Sequence, residues 1–170
     1  LDHLIKKLKK NSTKMVRLIE LKVEGGNGEK LAKKIIDVIE KNNYQKQAIY
    51  MSLDLDTVQY LQSQRPEWWI GYCIYGSAGD IEGSLWNQGI DFLAIEENRA
   101  TVSCVEKANR NWVPVYVWTV DDESRMIQYL ELGVSGIITN YPNRGRKAVD
   151  KFKENNYQYY YHHGSGYPDS

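Results

Sequence analysis

A glutamate and a lysine two residues apart form the pair in this sequence best placed for chemistry. The run Ile19-Glu20-Leu21-Lys22 ends a predicted strand, and side chains two apart on a strand point to the same face. Glu20 and Lys22 are therefore expected together at the carboxyl end of that strand, where parallel α/β folds bind ligands. A carboxylate there can hold a hard divalent cation, and an ammonium can neutralise a phosphate oxygen. On spacing alone, a satisfied ion pair at the strand end is the slightly favoured alternative.

Other polar and aromatic side chains follow predicted strands with weaker signals. Ser52 and Asp54 follow the second strand, and Asp54 is equally suited to cap the helix after it. Glu96 and Glu97 follow the fourth strand, where a helix-start role is favoured over a role in a site. Trp118 ends the fifth strand and could wall a pocket, although an aromatic side chain there is more often part of the core.

The histidines and cysteines indicate no site of their own. His3 lies on an opening helix, and His162 and His163 lie in the tail, so no histidine follows a strand as a general acid or base would. Cys73 and Cys104 are expected to be inert core thiols. The sequence contains no glycine-rich phosphate loop and no cysteine–histidine metal cluster.

Six β-rich runs alternating with helical stripes must position these residues. Most runs are continuous in hydrophobicity, which is typical of strands covered on both faces, and the alternation predicts a parallel α/β sheet. The glycine-rich segment between Tyr75 and Asp91 predicts an irregular loop with one helical turn around Leu85. The predicted strands are Met15–Leu21, Ala48–Leu53, Trp69–Tyr75, Asp91–Ile95, Val113–Thr119 and Gly136–Thr139, and helices are predicted over Leu1–Leu8, from Leu55, over Glu29–Lys41, Thr101–Arg110 and Asp121–Leu132, and around Ala148.

Composition and charge exclude several classes of protein. The 170 residues include 22 basic and 22 acidic side chains, so a nucleic-acid partner, which normally needs a basic excess, is not expected. With 42% hydrophobic residues, no apolar run of membrane length and no signal peptide, the chain is expected to be a soluble globular domain. Residues 1–47 carry 12 basic and 6 acidic side chains. Solvated helix faces explain this excess better than a missing partner, because Lys33, Lys34 and Lys41 lie among apolar helical positions.

Four segments together resemble the glycerophosphodiester phosphodiesterase family. Ile19-Glu20-Leu21-Lys22 is similar to its third-strand E-[IL]-K motif, and Met51-Ser52-Leu53-Asp54 is similar to its S-F-D strand end. The segment from Val115 to Asp122 resembles V-W-T-V-N-D, and that from Leu132 to Pro142 resembles L-G-V-D-G-I-I-T-D-Y-P. Asn140 and Ser135 depart from this last motif, each replacing an aspartate.

The resemblance implies a TIM barrel that hydrolyses glycerophosphodiesters to an alcohol and glycerol 3-phosphate with a divalent metal, Mg²⁺ or Ca²⁺. It implies that Glu20 is one of three carboxylate metal ligands and that Lys22 contacts the phosphate. It also implies that Trp118 lines the pocket beside the glycerol, with Ser52 as a neighbour of the site. The stretch around Ile95-Glu96-Glu97 resembles the branch whose catalytic domain follows a membrane domain, so the parent protein is expected to be membrane-anchored.

The resemblance covers the last six of the family's eight βα units. Nothing in the sequence matches the first two units, which carry the His-Arg-Gly and E-x-D motifs, both catalytic histidines and two metal carboxylates. We therefore expect an α/β fold that is an incomplete TIM barrel of about six βα units, corresponding to strands three to eight. Residues 1–154 are expected to form this domain, and residues 155–170 a flexible tail.

Further expectations follow from these missing units. The chain alone is expected to contain no catalytic residue and to bind metal weakly or not at all. It is therefore expected to be inactive. Two unpaired sheet edges are expected to favour self-association. The main alternative is a non-catalytic α/β module that keeps the fold and binds a partner or a phosphorylated ligand. A third interpretation is an open doubly wound domain, whose strand order would reverse midway.

Overall fold

One parallel sheet organises the molecule. The structure, a computed structural model, describes residues 2–3, 5–6, 16–75 and 85–163. Within these residues six strands pair in the order of the sequence, and all five pairings are parallel. The strands are β1 (Arg17–Leu21), β2 (Ala48–Ser52), β3 (Ile70–Ile74), β4 (Phe92–Glu96), β5 (Val115–Trp118) and β6 (Gly136–Ile137).

Helices connect most of these strands. Residues 2–3 and 5–6 are helical, and the rest of the predicted opening helix lies outside the described residues. A 3₁₀ turn at Leu85–Asn87 confirms the predicted helical turn between β3 and β4, while residues 76–84 lie outside the described part of the chain. The helices are α1 (Gly28–Lys41), α2 (Leu55–Gln64), α3 (Val102–Arg110), α4 (Glu123–Leu132) and α5 (Pro142–His163).

The strand order decides between the two kinds of parallel α/β fold. It runs from β1 to β6 without a reversal, which excludes the doubly wound alternative. A sheet that grows in one direction, with helices covering one face, is an open part of a barrel, so the predicted incomplete TIM barrel is confirmed. In the described residues β1 and β6 each pair on one side only, and self-association through these edges stays a prediction.

Two separate cores lie on the two faces of the sheet. The larger core packs the sheet against the helices and includes Tyr50, Val58 and Val105. The smaller core lies on the concave inner face, around Phe92. The inner-face core consists of Met51, Cys73, Phe92 and Ala94, with Leu18, Ile49, Tyr116, Trp118 and Ile138 packed against it.

The edge strand β1 differs from the prediction of strands covered on both faces. Of its five residues only Leu21 is buried, and Glu20 is exposed. By contrast, four of the five residues of the more central β4 are buried. The prediction is wrong for β1 because that strand has a neighbour on one side only within the described residues, which leaves its inner-face side chains open.

The helix ends follow the expected capping chemistry. Asp54 accepts a hydrogen bond from the Thr57 N–H at 2.9 Å and begins α2, and Asp122 accepts one from the Arg125 N–H at 3.0 Å and begins α4. Gly133, with a φ of +98°, ends α4 in the left-handed conformation that glycine tolerates best. Helix α5 runs across residue 154, so the start of the predicted tail is helical, and the domain boundary there stays a prediction.

Candidate active site at the carboxyl end of the sheet

A cleft of about 450 Å³ lies at the carboxyl end of β1 and contains the two residues singled out first. Glu20 is paired in register with Met51 of β2, and its exposed side chain borders the cleft. Lys22 follows β1 directly and is also exposed. The lining residues are Glu20, Leu21, Lys22, Val23, Glu24, Leu53, Asp54 and Tyr75.

Glu20 and Lys22 border the same cleft. Among the described residues neither forms an ion pair, with the other or with any further side chain. Within the described part of the chain, the ion pair favoured on spacing alone is therefore not formed. The cleft instead presents a carboxylate and an ammonium separately to one ligand-sized space.

Ser52 ends β2 with its hydroxyl fully engaged. The side chain is 1% exposed, donates a hydrogen bond to the Leu21 carbonyl at 2.8 Å and accepts one from the Asp54 N–H at 3.1 Å. It thus ties the end of β1 to the turn that enters α2. Ser52 is not among the residues lining the cleft, and its predicted contact with substrate stays a prediction.

Replacing Ser52 by alanine is expected to destabilise the fold by about 2 kcal/mol, because the Leu21 carbonyl and the Asp54 N–H lose their shared partner. Urea unfolding of the variant measures this cost. Ser63→Ala is the matched control, because the exposed Ser63 hydroxyl bonds only within its own helix, donating to the Tyr60 carbonyl and accepting from the Gln64 side-chain amide at 3.4 Å. An equal cost for the two variants would show that the Ser52 bridge does not hold the strand ends.

Trp118 approaches the cleft through aromatic contact. Its half-buried ring meets the Tyr75 ring edge-on at 5.2 Å between centroids, and Tyr75 lines the cleft. Burial raises the pKa of the Cys73 thiol to about 12, the charge of Glu20 raises it too, and the Trp118 indole N–H lowers it. Cys73 belongs to the inner-face core, against which Trp118, one of the predicted site residues, packs.

Both cysteines behave as the sequence predicted. Cys73 and Cys104 are buried and unpaired, and burial is the main cause that raises the pKa of each thiol. A thiol that stays protonated at neutral pH is a poor nucleophile.

The acidic residues that follow β2 and β4 divide into structural and open ones. Asp54 faces the cleft, but one of its oxygens already accepts from the Thr57 N–H and the Thr57 hydroxyl. Glu97 begins the 3₁₀ turn Glu97–Arg99, where no side chain caps the turn, and it forms an ion pair with Arg125 at 2.5 Å. Glu96 lies opposite Trp118 in the register of β4 and β5 and is half-buried.

The two strand exits after β5 and β6 are tied by an aspartate and an asparagine. Asp121 accepts hydrogen bonds from the Thr139 hydroxyl at 2.7 Å, from the Asn140 N–H at 2.9 Å and from the Asn140 amide at 3.1 Å. The Thr139 hydroxyl first, and Asn140 second, lower the pKa of Asp121. In the motifs quoted above, the corresponding positions hold Asn and Asp, so the departure at Asn140 is matched by an exchange at Asp121.

The described residues do not complete a metal site. Within them no group of three or more His, Cys, Asp or Glu side chains could hold a metal ion. At the cleft, Glu20 offers one carboxylate that could bind a cation, whereas Lys22 contributes a positive charge. Glu20 would therefore supply one of the six or more oxygen ligands that Mg²⁺ or Ca²⁺ takes, with water and substrate phosphate as further ligands.

Five residues that line the cleft were not predicted as site residues, namely Leu21, Val23, Glu24, Leu53 and Tyr75. Leu53 directly follows β2 and Tyr75 directly follows β3. Their position at the end of a parallel strand could therefore have indicated that they line the site. Glu24 lies in the turn between β1 and α1, and only the folded turn brings it to the cleft.

The fold and the cleft define a class of protein that comparison with known families makes specific. The sequence matches the glycerophosphoryl diester phosphodiesterase family over residues 3–144. The chain therefore belongs to this family, and the resemblance seen in the motifs is confirmed. A search of curated proteins found no significant match.

Solved structures share the fold at low sequence identity. A phosphodiesterase from Oleispira antarctica in complex with the product sn-glycerol-3-phosphate has a TM-score of 0.76 and 20% identity, over 88% of this chain and 60% of its own. A glycerophosphodiester phosphodiesterase from Parabacteroides distasonis has a TM-score of 0.74 and 20% identity, over 88% and 63%. A protein from Silicibacter pomeroyi assigned to the same activity has a TM-score of 0.74 and 17% identity, over 90% and 56%.

These structures match the chain over part of their own length. At such identities they show the fold, and the chain spans 56% to 63% of the length of these three structures. This agrees with six strands of a barrel that has eight. Among the described residues no helix is both long and apolar enough to cross a membrane.

Proposed function

We propose that this chain forms part of a phosphoric diester hydrolase that cleaves glycerophosphodiesters to an alcohol and glycerol 3-phosphate. The observation that carries the proposal is that Glu20 and Lys22 border one cleft at the carboxyl end of a parallel strand, without an ion-pair partner among the residues that the structure describes. Ligands of TIM barrels bind at this end of the sheet. Membership of the family and the glycerol 3-phosphate bound by the Oleispira antarctica relative support the same substrate class.

The residues of the cleft have distinct roles in this proposal. The Lys22 ammonium binds a phosphate oxygen and offsets its charge, because it has no carboxylate partner of its own among the described side chains. Tyr75, supported edge-on by Trp118, walls the cleft beside the glycerol. Ser52 acts from below by holding the strand ends in place.

A divalent cation, Mg²⁺ or Ca²⁺, belongs to the proposal for the intact enzyme. Glu20 would contribute one carboxylate ligand, and the cation would supply positive charge beside the phosphate. Because the described residues do not fit a complete metal site, we assign no step of the reaction to a metal held by this chain alone.

The alternative, a phosphate-binding module without catalysis, keeps a specific observation in its favour. The three histidines of the sequence are His3, His162 and His163, and none follows a strand of the sheet. The cleft can bind and orient a phosphodiester, but its lining contains no histidine to move a proton at neutral pH. Binding and turnover must therefore be measured separately.

Lys22→Ala is expected to weaken binding of glycerol 3-phosphate about tenfold at low ionic strength, because the phosphate loses a charge-assisted partner. An NMR titration of the labelled chain measures the affinity and locates the shifted amides. Lys33→Ala is the matched control, because Lys33 is exposed and pairs with Glu29 at 2.5 Å. Equal affinities for Lys22→Ala and the unchanged chain would contradict the proposed site.

Turnover is tested in the same preparation with glycerophosphocholine and Mg²⁺ or Ca²⁺. We expect no release of glycerol 3-phosphate by this chain alone. Release above the blank that Glu20→Ala abolishes would contradict the expected inactivity and would make this cleft a complete catalytic site.

A further inference from the structure

A second concave surface adjoins the cleft and has the opposite charge. This groove of about 280 Å³ shares Lys22, Val23 and Glu24 with the cleft, so the segment 22–24 is a ridge between the two. Its other wall is the first two turns of α1. The lysine groove, as we call it, is lined by Lys22, Val23, Glu24, Asn27, Lys30, Leu31 and Lys34.

The charges along the two surfaces differ in sign. Three carboxylates and one lysine line the cleft, whereas three lysines and one carboxylate line the groove. The excess of carboxylates makes the cleft net negative, whereas the excess of lysines makes the groove suited to an anion. Lys22 belongs to both surfaces, so an anion held there can extend to either side of the ridge.

The backbone explains why the lysines converge. Gly25 and Gly26 have φ values of +59° and +75°, and this tight turn brings the start of α1 back beside the end of β1. Lys30 and Lys34 are four residues apart, so they lie one above the other on one side of α1. Neither forms an ion pair with another described residue.

A neighbouring lysine shows what a neutralised position on the same helix looks like. Lys33 pairs with Glu29 at 2.5 Å, and its ammonium lies 5.9 Å from the centre of the Tyr60 ring on α2. The helix thus supplies a carboxylate partner to the lysine that faces α2. The two lysines that face the groove, Lys30 and Lys34, have no carboxylate partner among the described residues.

We propose that the lysine groove binds a second phosphate carried by the alcohol portion of the substrate. This inference rests on the proposed function, because the first phosphate is the diester at Lys22. The preferred substrate class is then a glycerophosphodiester whose alcohol is itself phosphorylated. The diester lies at the ridge, the glycerol lies in the cleft, and the phosphorylated alcohol extends toward Lys30 and Lys34.

The test compares two ligands that differ by one phosphate. Glycerophosphoglycerol and its terminally phosphorylated counterpart are titrated into the labelled full chain by NMR at low ionic strength. We expect the phosphorylated ligand to bind about tenfold more tightly, and this preference to shrink as salt is added. The double variant Lys30→Gln/Lys34→Gln is expected to lose the preference, with the affinity for glycerophosphoglycerol unchanged.

A second double variant controls for charge and for helix stability. Lys33→Gln/Lys41→Gln removes the same charge from the same helix outside the groove, and it is expected to keep the preference. Equal affinities of the two ligands for the unchanged chain, or a preference that survives Lys30→Gln/Lys34→Gln, would overturn the proposal. So would failure of the phosphorylated ligand to bind.

The same titrations separate this proposal from the proposed function. Binding of glycerophosphoglycerol, and its loss in Lys22→Ala, report on the diester site at the ridge. If only the phosphorylated ligand binds, and does so through Lys30 and Lys34, the groove is an anion site and the proposed diester site is wrong.

Discussion

Replacing Gly71 by alanine is expected to destabilise the protein by about 3 kcal/mol and to lower its Tm by roughly 10 °C. Gly71 of β3 and Phe92 of β4 are partners in the parallel pairing of these strands, and a Cβ at Gly71 would overlap the Phe92 ring. Phe92 is fully buried, and its ring stacks on Tyr116 at 4.5 Å and on Trp69 at 6.3 Å. The ring therefore cannot move aside without disturbing the inner-face core.

A second substitution tests that explanation. Phe92→Leu removes the ring atoms that the new methyl group would meet, so Gly71→Ala should cost clearly less in the Phe92→Leu background. Urea unfolding of the two single variants and the double variant gives the coupling. Gly145→Ala is the control, because its Cβ would meet Thr139 at an ordinary 3.4 Å, and we expect a change within about 1 kcal/mol. Additive costs at Gly71 and Phe92 would contradict the overlap.

Gly28→Ala is expected to cost about 2–3 kcal/mol and also to disturb the cleft. The new Cβ at the start of α1 would overlap the Thr57 hydroxyl and lie 3.1 Å from the Asp54 carboxylate. Thr57 is 1% exposed and donates its hydroxyl to Asp54, whose carboxylate begins α2. Because Asp54 also lines the cleft, a shift of this cap moves one wall of the site.

Two readouts distinguish this effect from a general loss of stability. Thr57→Ala removes the overlapping oxygen, so Gly28→Ala should cost less in that background, although the Thr57 Cβ at 3.3 Å leaves part of the contact. In folded Gly28→Ala protein, the NMR signals of the turn after Ser52 should shift and glycerol 3-phosphate should bind more weakly. Unchanged NMR signals in that turn, together with an unchanged affinity for glycerol 3-phosphate, would show that the starts of α1 and α2 are not coupled.

Local chemistry accounts for how far prediction from sequence reached. The periodicity of apolar residues located all six strands to within two residues wherever they are described, because both faces of a buried parallel strand are apolar. The carboxylate of Asp54 was readable as a helix cap, since it satisfies an N–H group one turn away. Glu20 and Lys22 were readable as a pair because the two-residue repeat of a strand holds in any sheet.

Other features depend on contacts between residues far apart in the chain. The open state of Glu20 and Lys22, which spacing alone disfavoured, follows from the edge position of β1. The bridge from the Ser52 hydroxyl to the Leu21 carbonyl joins residues 31 apart, and the pairing of Asp121 with Asn140 joins residues 19 apart. Which residues form such long-range hydrogen bonds depends on the register of the strands and on the direction in which the chain leaves each strand.

The amino-acid sequence therefore established the parallel α/β class, the order of its elements and the pair of residues at the end of β1. These are local properties, set by hydrophobic repeat, capping and strand geometry. The resemblance of four motifs also predicted the barrel segment, which the strand order confirmed. The tertiary structure alone decided that the cleft and the lysine groove meet at residues 22–24. The physical reason is that charge and space at a site come from several elements, whose distances only the packed sheet and its helices determine.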